Sequence, residues 1–192
     1  MVTEKNTPPD LSRRSFLLTA VQLALGLSVV SAPSLACAKV SDKRPDKRSL
    51  SFFHTRTQQG LRITYASGKT YDRKALAQIN RFLRDYQTGQ VHIIDPKLLD
   101  ILWSIQRTMG SKGVYEVISG YRSPATNRIL RKGHPGVASQ SLHMKGKAVD
   151  IRFSGAKLSQ IHQCAVAMRS GGIGYYPRDG FVHLDTGQFR TW

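Results

Sequence analysis

The residue pattern predicts an α+β fold, a single small domain in which an antiparallel sheet is flanked by helices. Three observations predict it. Short stretches of period-two alternation recur between helix-periodic ones along 50–192. No βαβ repeat with a Gly-rich phosphate loop interrupts them, which argues against a doubly wound parallel sheet. The chain is 40% hydrophobic with 16 Gly and 8 Pro, the balance of a globular protein rather than a disordered or fibrous one.

The elements follow in order. Ser51-Phe52-Phe53-His54 and Leu61-Arg62-Ile63-Thr64-Tyr65, set around Gly60 and Gly68, read as a β-hairpin within 50–71. From Arg73 to Tyr86, the residues Leu76, Ile79, Leu83 and Tyr86 recur at helical spacing, and Gly89 follows the run. Leu98, Leu102, Ile105 and Met109 repeat that spacing over Pro96 to Met109, with Asp95 placed as N-cap and Gly110 after the end. Tyr115 to Ser119 is a short strand. The polar stretch Gly120 to Lys145 reads as irregular, with one helical turn around Asn127 to Arg131. Lys147 to Phe153 alternates as a strand and Leu158 to Met168 is a helix. Ile173 to Tyr176 and Phe181 to Leu184 are the last strands, joined by the turn Pro177-Arg178-Asp179-Gly180.

Residues 1–38 read differently. Arg13-Arg14 precede Phe16 to Ala32, a stretch without charge, and Ala36-Cys37-Ala38 supplies a small-x-small cleavage site. The arginine pair with Phe two places on resembles a twin-arginine export signal, although Leu18 stands where Lys is frequent. The expected organisation is therefore a signal peptide at 1–38, a flexible basic leader at 39–49 and the functional domain at 50–192, located in the periplasm. An uncleaved inner-membrane anchor is the alternative, but the stretch is at the lower length limit for a span and Gln22 interrupts it.

Two cysteines are too few for a disulfide scaffold or a Cys-based metal cluster. Cleavage would leave only Cys164, read as a buried apolar residue on a helix. Lys and Arg number 29 against 12 Asp and Glu, a net charge of +17, which calls for an anionic partner. Outside the cytoplasm that partner is peptidoglycan, with its free carboxylates, or an anionic membrane surface, rather than nucleic acid. The membrane is expected to be met only through the export signal, and the chain is expected to be a monomer.

Three segments carry chemistry: Ser119-Gly120-Tyr121-Arg122-Ser123, Ser141 to Asp150, and Gly174-Tyr175-Tyr176 through Phe181-Val182-His183-Leu184-Asp185. Asp150 sits in an aliphatic strand, and a carboxylate in such surroundings needs a partner because burying an unpaired charge costs several kcal/mol. Strand alternation puts Ala148 and Asp150 on one face and Val149 and Ile151 on the other. His183 and Asp185 likewise share a face opposite Val182 and Leu184. His143 precedes Asp150 across a Gly-containing turn and can close the site. Two imidazoles and a carboxylate make a catalytic zinc set with the fourth position left for water, whose pKa on zinc falls to about 7. A buried His–Asp hydrogen-bonded network without metal is the alternative.

Ser-x-His-x-x-Gly-x-Ala-x-Asp followed by a strand-borne His, and preceded by Ser-Gly-Tyr-Arg-Ser, resembles the zinc D-alanyl-D-alanine peptidase group. That group shares its metal-site architecture with lysostaphin-type peptidases and the hedgehog domain. Gly-Gly-Ile-Gly-Tyr-Tyr-Pro with Phe-Val-His-Leu-Asp-Thr-Gly is similar to its murein endopeptidase K branch. The resemblance implies one Zn2+ per chain held by His143, Asp150 and His183, with Ser141 supporting the site and Arg122 in the substrate cleft. Ser141, Tyr175 and Tyr176 are candidate substrate-binding residues, and Arg122 a candidate oxyanion stabiliser or structural ion pair. Many members of the group place Glu or His shortly before the last ligand as general base. Here Gly180 and Phe181 stand there, so Asp185 is the leading base candidate, with an orienting role for it equally open. Asp179 is a weaker candidate. The implied activity is hydrolysis of peptidoglycan cross-links, between two diaminopimelate residues, by attack of zinc-activated water. The alternatives are a D-alanyl-D-alanine carboxypeptidase and a non-catalytic zinc-containing wall-binding module.

Overall fold

The computed structural model describes residues 47–134 and 136–192, so the export segment and most of the expected leader lie outside the described residues. Eight strands form one sheet: β1 (Lys47–His54), β2 (Gln59–Ser67), β3 (Thr70–Tyr71), β4 (Tyr115–Ser119), β5 (Ala148–Phe153), β6 (Gly172–Tyr176), β7 (Phe181–Asp185) and β8 (Arg190–Thr191), in the order β3-β2-β1-β4-β5-β7-β6-β8. Four helices accompany them: α1 (Arg73–Phe82), α2 (Pro96–Thr108), α3 (Pro124–Gly133) and α4 (Leu158–Met168). The α+β class is as the pattern predicts. The sheet is mostly antiparallel, but β1 runs parallel to β4 and β6 parallel to β8. Among the described residues no helix is long and apolar enough to cross a membrane.

Several boundaries differ from the sequence reading, each for a physical reason. β1 begins at Lys47, inside the stretch read as leader, because Arg48 is buried rather than solvated. Its guanidinium pairs with Asp100, whose carboxylate also accepts from Tyr65 and Tyr71 at 2.9 and 2.6 Å. Helix α1 stops at Phe82 rather than Tyr86, and Tyr86 is exposed. The Asp85 carboxylate takes the Gln87 and Thr88 amides at 2.9 and 3.3 Å, an alternative to helical hydrogen bonding. Helix α3 is longer than the single turn expected. Ser123 caps it by accepting from Thr126 N at 3.2 Å, and Pro124 follows at N1. Asp95 caps α2 as its sequence predicts, accepting from Lys97 N at 3.0 Å.

The core forms where the alternating strands meet the helices. Val149, Ile151, Val182 and Leu184 are at most 1% exposed, and α4 covers their side of β5, β6 and β7. Cys164 is buried on α4. Truncating one such side chain to Ala would cost about 2–5 kcal/mol, through lost transfer energy and an unfilled cavity. What this packing fixes for function is the opposite face of β5 and β7.

Candidate metal centre

β5 and β7 pair with Asp150 opposite His183 and Ala148 opposite Asp185. Directly opposed residues project to the same side of a sheet. The strand alternation that sends the aliphatic residues into the core therefore sends Asp150, His183 and Asp185 to one common face. His143 arrives from a short 3-10 turn, Leu142–Lys145. Ser141 starts that turn by accepting from His143 N at 3.3 Å, and Gly146 ends it at φ 63°. A Cβ on Gly146 would stand 2.0 Å from the Ile93 carbonyl oxygen, so only glycine fits.

Each imidazole is oriented by an acceptor behind it. His143 Nδ1 is 2.7 Å from the Gly120 carbonyl, which can only accept, so the neutral ring keeps its lone pair at Nε2. His183 Nε2 is 3.1 Å from Asp185 Oδ2, which likewise leaves Nδ1 as the lone-pair nitrogen. His143 Nε2, His183 Nδ1 and Asp150 Oδ1 then converge, at 3.2 Å between the nitrogens and 3.2 and 2.9 Å from each to the oxygen. With the rings in these neutral tautomers the three lone pairs face one another, and a cation at their centre would relieve their repulsion. Tetrahedral zinc with bonds of about 2.0–2.1 Å requires ligand–ligand edges of about 3.3 Å. The donor set fits that ion. Among the described residues this is the one group of three His, Cys, Asp or Glu side chains converging in this way.

In the absence of a cation the two rings are tuned in opposite directions. Burial pushes His143 below the ordinary imidazole range, outweighing the pull of Asp150. His183 is also buried, but hydrogen bonds to Asp150 and Asp185 raise it. Burial would raise Asp150, yet His143, His183 and Arg122 hold it well below the usual carboxylate range, so the ligand oxygen is ionised.

The other predicted residues divide. Arg122 reaches the cluster: its Nε donates to Ser119 Oγ at 2.7 Å, and its Nη2 donates to Asp150 Oδ2 and lies 3.0 Å from His143 Nε2. Asp185 is 1% exposed and its acceptor positions are filled. Besides His183 it takes Gly172 N at 3.0 Å, Gly187 N at 2.8 Å and the Arg190 guanidinium at 2.6 Å. These partners hold it far below the carboxylate range although burial opposes them. Ser141 is buried as the cap of the His143 turn. Tyr176 shares the face of His183, but Tyr175 is paired with Val182 and turns to the helix side, stacked on His162 at 4.8 Å. Tyr175 therefore lies away from the cluster, which corrects its placement as a substrate contact.

Sequence reasoning missed the groups behind the Arg122 loop. Asp85 accepts from Ser123 N at 2.8 Å and Thr126 Oγ1 at 2.6 Å, and Leu83 O accepts from Tyr121 N at 2.8 Å. A Cβ on Gly120 would lie 2.6 Å from that same Leu83 oxygen. The turn after α1 thus carries the loop that orients His143 and aims Arg122.

Residues 42–192 match the family model described as peptidoglycan L,D-endopeptidase MepK. Peptidoglycan L,D-endopeptidase MepK of Escherichia coli (strain K12) is 41% identical over 183 residues, 95% of this chain and 98% of that protein. The protein of the same name from Shigella flexneri gives the same figures. The probable peptidoglycan L,D-endopeptidase MepK of Haemophilus influenzae is 39% identical over 184 residues, 95% of this chain and 96% of that protein. These matches span the segments that carry the cluster, and the group they return is the one its motif resembles: the chain belongs to the peptidoglycan L,D-endopeptidase MepK family.

Proposed function

We propose that this chain is an exported zinc metallopeptidase, monomeric in the periplasm, which hydrolyses peptide cross-links of peptidoglycan between two diaminopimelate residues. The observation that carries the reading is the convergence of three metal-competent atoms, His143 Nε2, His183 Nδ1 and Asp150 Oδ1, each within 3.2 Å of the others. The names of the relatives support the substrate, the twin-arginine-like segment supports export, and the basic charge suits a carboxylate-rich wall.

His143, Asp150 and His183 would hold one Zn2+, which when bound polarises the scissile carbonyl and lowers the pKa of the attacking water. The chain's own residues do the rest. Gly120 and Asp185 keep the two imidazoles in the ligating tautomer and prevent ring rotation. Arg122, fixed by Ser119 and by the loop that Asp85 holds, presents a guanidinium beside the ligands. There it donates to the carbonyl oxygen as that oxygen gains charge. Asp185 acts as an orienting carboxylate rather than as the base, because a group with filled acceptor positions and such low basicity takes up a proton poorly.

The test incubates the zinc-loaded chain from Lys39 onward with purified peptidoglycan, alongside His183→Ala and a chelated sample, and resolves the released muropeptides by mass spectrometry. Loss of diaminopimelate-linked dimers in the native sample alone is the expected result. Release of terminal alanine instead would make the protein a carboxypeptidase. Zinc binding without any product would make it a binding module.

A further inference from the structure

Gly174 stands directly opposite His183 on β6. A Cβ there would lie 2.7 Å from Tyr176 Cε2 and 2.8 Å from both Cε2 and Nε1 of Trp192, so two aromatic rings close over the bare backbone next to a metal ligand. Trp192 Nε1 donates to the Tyr176 hydroxyl at 2.5 Å, and Tyr176 stacks on Phe181 at 4.6 Å. On its other side the indole lies 5.3 Å from the His183 ring and 4.9 Å from the Arg190 guanidinium, which is itself bonded to Asp185. The backbone is pinned as well, because Trp192 N donates to Ile173 O at 3.2 Å and Tyr175 N donates to Trp192 O at 3.0 Å. Despite these restraints Trp192 is 48% exposed.

A large aromatic ring fixed by its backbone, its N–H and a stacked cation has little freedom left to lose. Binding a partner to its exposed part therefore carries a small ordering cost. The exposed part of Trp192 abuts His183 itself. Resting on the peptidase reading above, we propose that Trp192, framed by Tyr176 and Arg190, is a specificity-determining residue. It packs against the aliphatic portion of the stem-peptide residue flanking the scissile bond and so sets which cross-link is held over the metal. Gly174 is the backbone space that makes this wall possible.

The zinc-loaded native chain, Trp192→Ala and Trp192→Phe are compared on a soluble muropeptide dimer joined through two diaminopimelate residues. The expected result is a rise of about tenfold or more in KM for Trp192→Ala, with kcat and zinc affinity little changed and with Trp192→Phe near native. A second arm uses Trp103→Phe, which leaves Trp192 the sole tryptophan of the two in the chain. Its emission is followed by stopped flow on mixing with the dimer, before turnover, and a shift or quench is expected. Native kcat/KM in Trp192→Ala together with silent emission overturns the proposal. So does a fall in zinc affinity that accounts for all the lost activity, which would make the indole a shield for His183. Absence of hydrolysis by the native chain overturns the peptidase reading instead, and the emission response then decides the proposal alone.

Discussion

Asp185→Asn separates the two roles open to this carboxylate. In the native structure Asp185 Oδ1 accepts from Gly172 N and Gly187 N, while Oδ2 faces His183 Nε2 and the Arg190 guanidinium. An asparagine oxygen is held at the first position by the two amides, so its NH2 must face two further donors. The clash with His183 is relieved when its proton moves from Nε2 to Nδ1, the atom that points at His143 and Asp150, while the exposed Arg190 side chain can swing into water. The variant thus favours the tautomer that cannot ligate. Losing an orienting partner behind a metal-bound histidine typically costs about 10- to 100-fold in metal affinity, or roughly 1.4–2.8 kcal/mol. Zinc affinity measured by competition with a chromophoric chelator is expected to fall by that factor, and kcat to recover substantially at saturating zinc. A variant that binds zinc as tightly as the native chain but loses kcat 100-fold or more would refute this reasoning and restore Asp185 as the base.

Two further predictions concern the framework. The Asp85 carboxyl is held at about 2 by hydrogen bonds from Thr126, Ser123 and Gln87, although burial pushes the other way. Because this folded value is below the ordinary 3.8, the stabilisation is full above about pH 4 and is lost as pH falls through about 2. Asp85→Asn should therefore cost about 2 kcal/mol in urea denaturation at pH 7, with the gap from native narrowing steadily below pH 4. A gap independent of pH would show that the charge is not what matters. Asp100→Ala strands the buried Arg48 guanidinium and should cost about 3–5 kcal/mol, visible as a fall in Tm. A variant as stable as the native chain would mean that Arg48 finds water instead.

The shared face of Asp150 and His183 was legible in the sequence because strand alternation is a local rule. A carboxylate and a histidine set among aliphatic residues have their face fixed by their neighbours, and Asp150 and His183 needed only pairing of their strands to meet. Asp85 offered no such signal. It lies 38 positions from the amide it accepts, and its own neighbours suggest only the end of a helix. Arg48 misled for the same reason, since in a run of basic residues nothing marks the one whose carboxylate waits 52 positions away. The cap of α3 was present as Ser123-Pro124, but the residues after it are mostly polar and basic, so no apolar periodicity announced the helix. The turn carrying His143 spans four residues, too few to show any period. Trp192 is brought beside His183 by the parallel pairing of β6 with β8, a non-local contact that its neighbours in the sequence do not suggest.

The orienting groups explain why the fold and the site cannot be altered independently. His143 takes its direction from the Gly120 carbonyl, which is placed by Leu83 and Asp85 behind α1. His183 takes its direction from Asp185, which is placed by amides on either side of the β6–β7 pair and by Arg190 of β8. The turn after α1 therefore fixes one imidazole and the β6–β7–β8 end of the sheet the other, with Asp150 on β5 between them. An ion held by all three would draw its affinity from contacts that run to the turn after α1 and to β8. By linkage, whatever binds the folded cluster and not the unfolded chain stabilises both supports together, by about 2.7 kcal/mol at a hundredfold excess over its Kd. Metal affinity is thus expected to depend on both supports, so substitutions as remote as Asp85 and Arg190 should lower it as well.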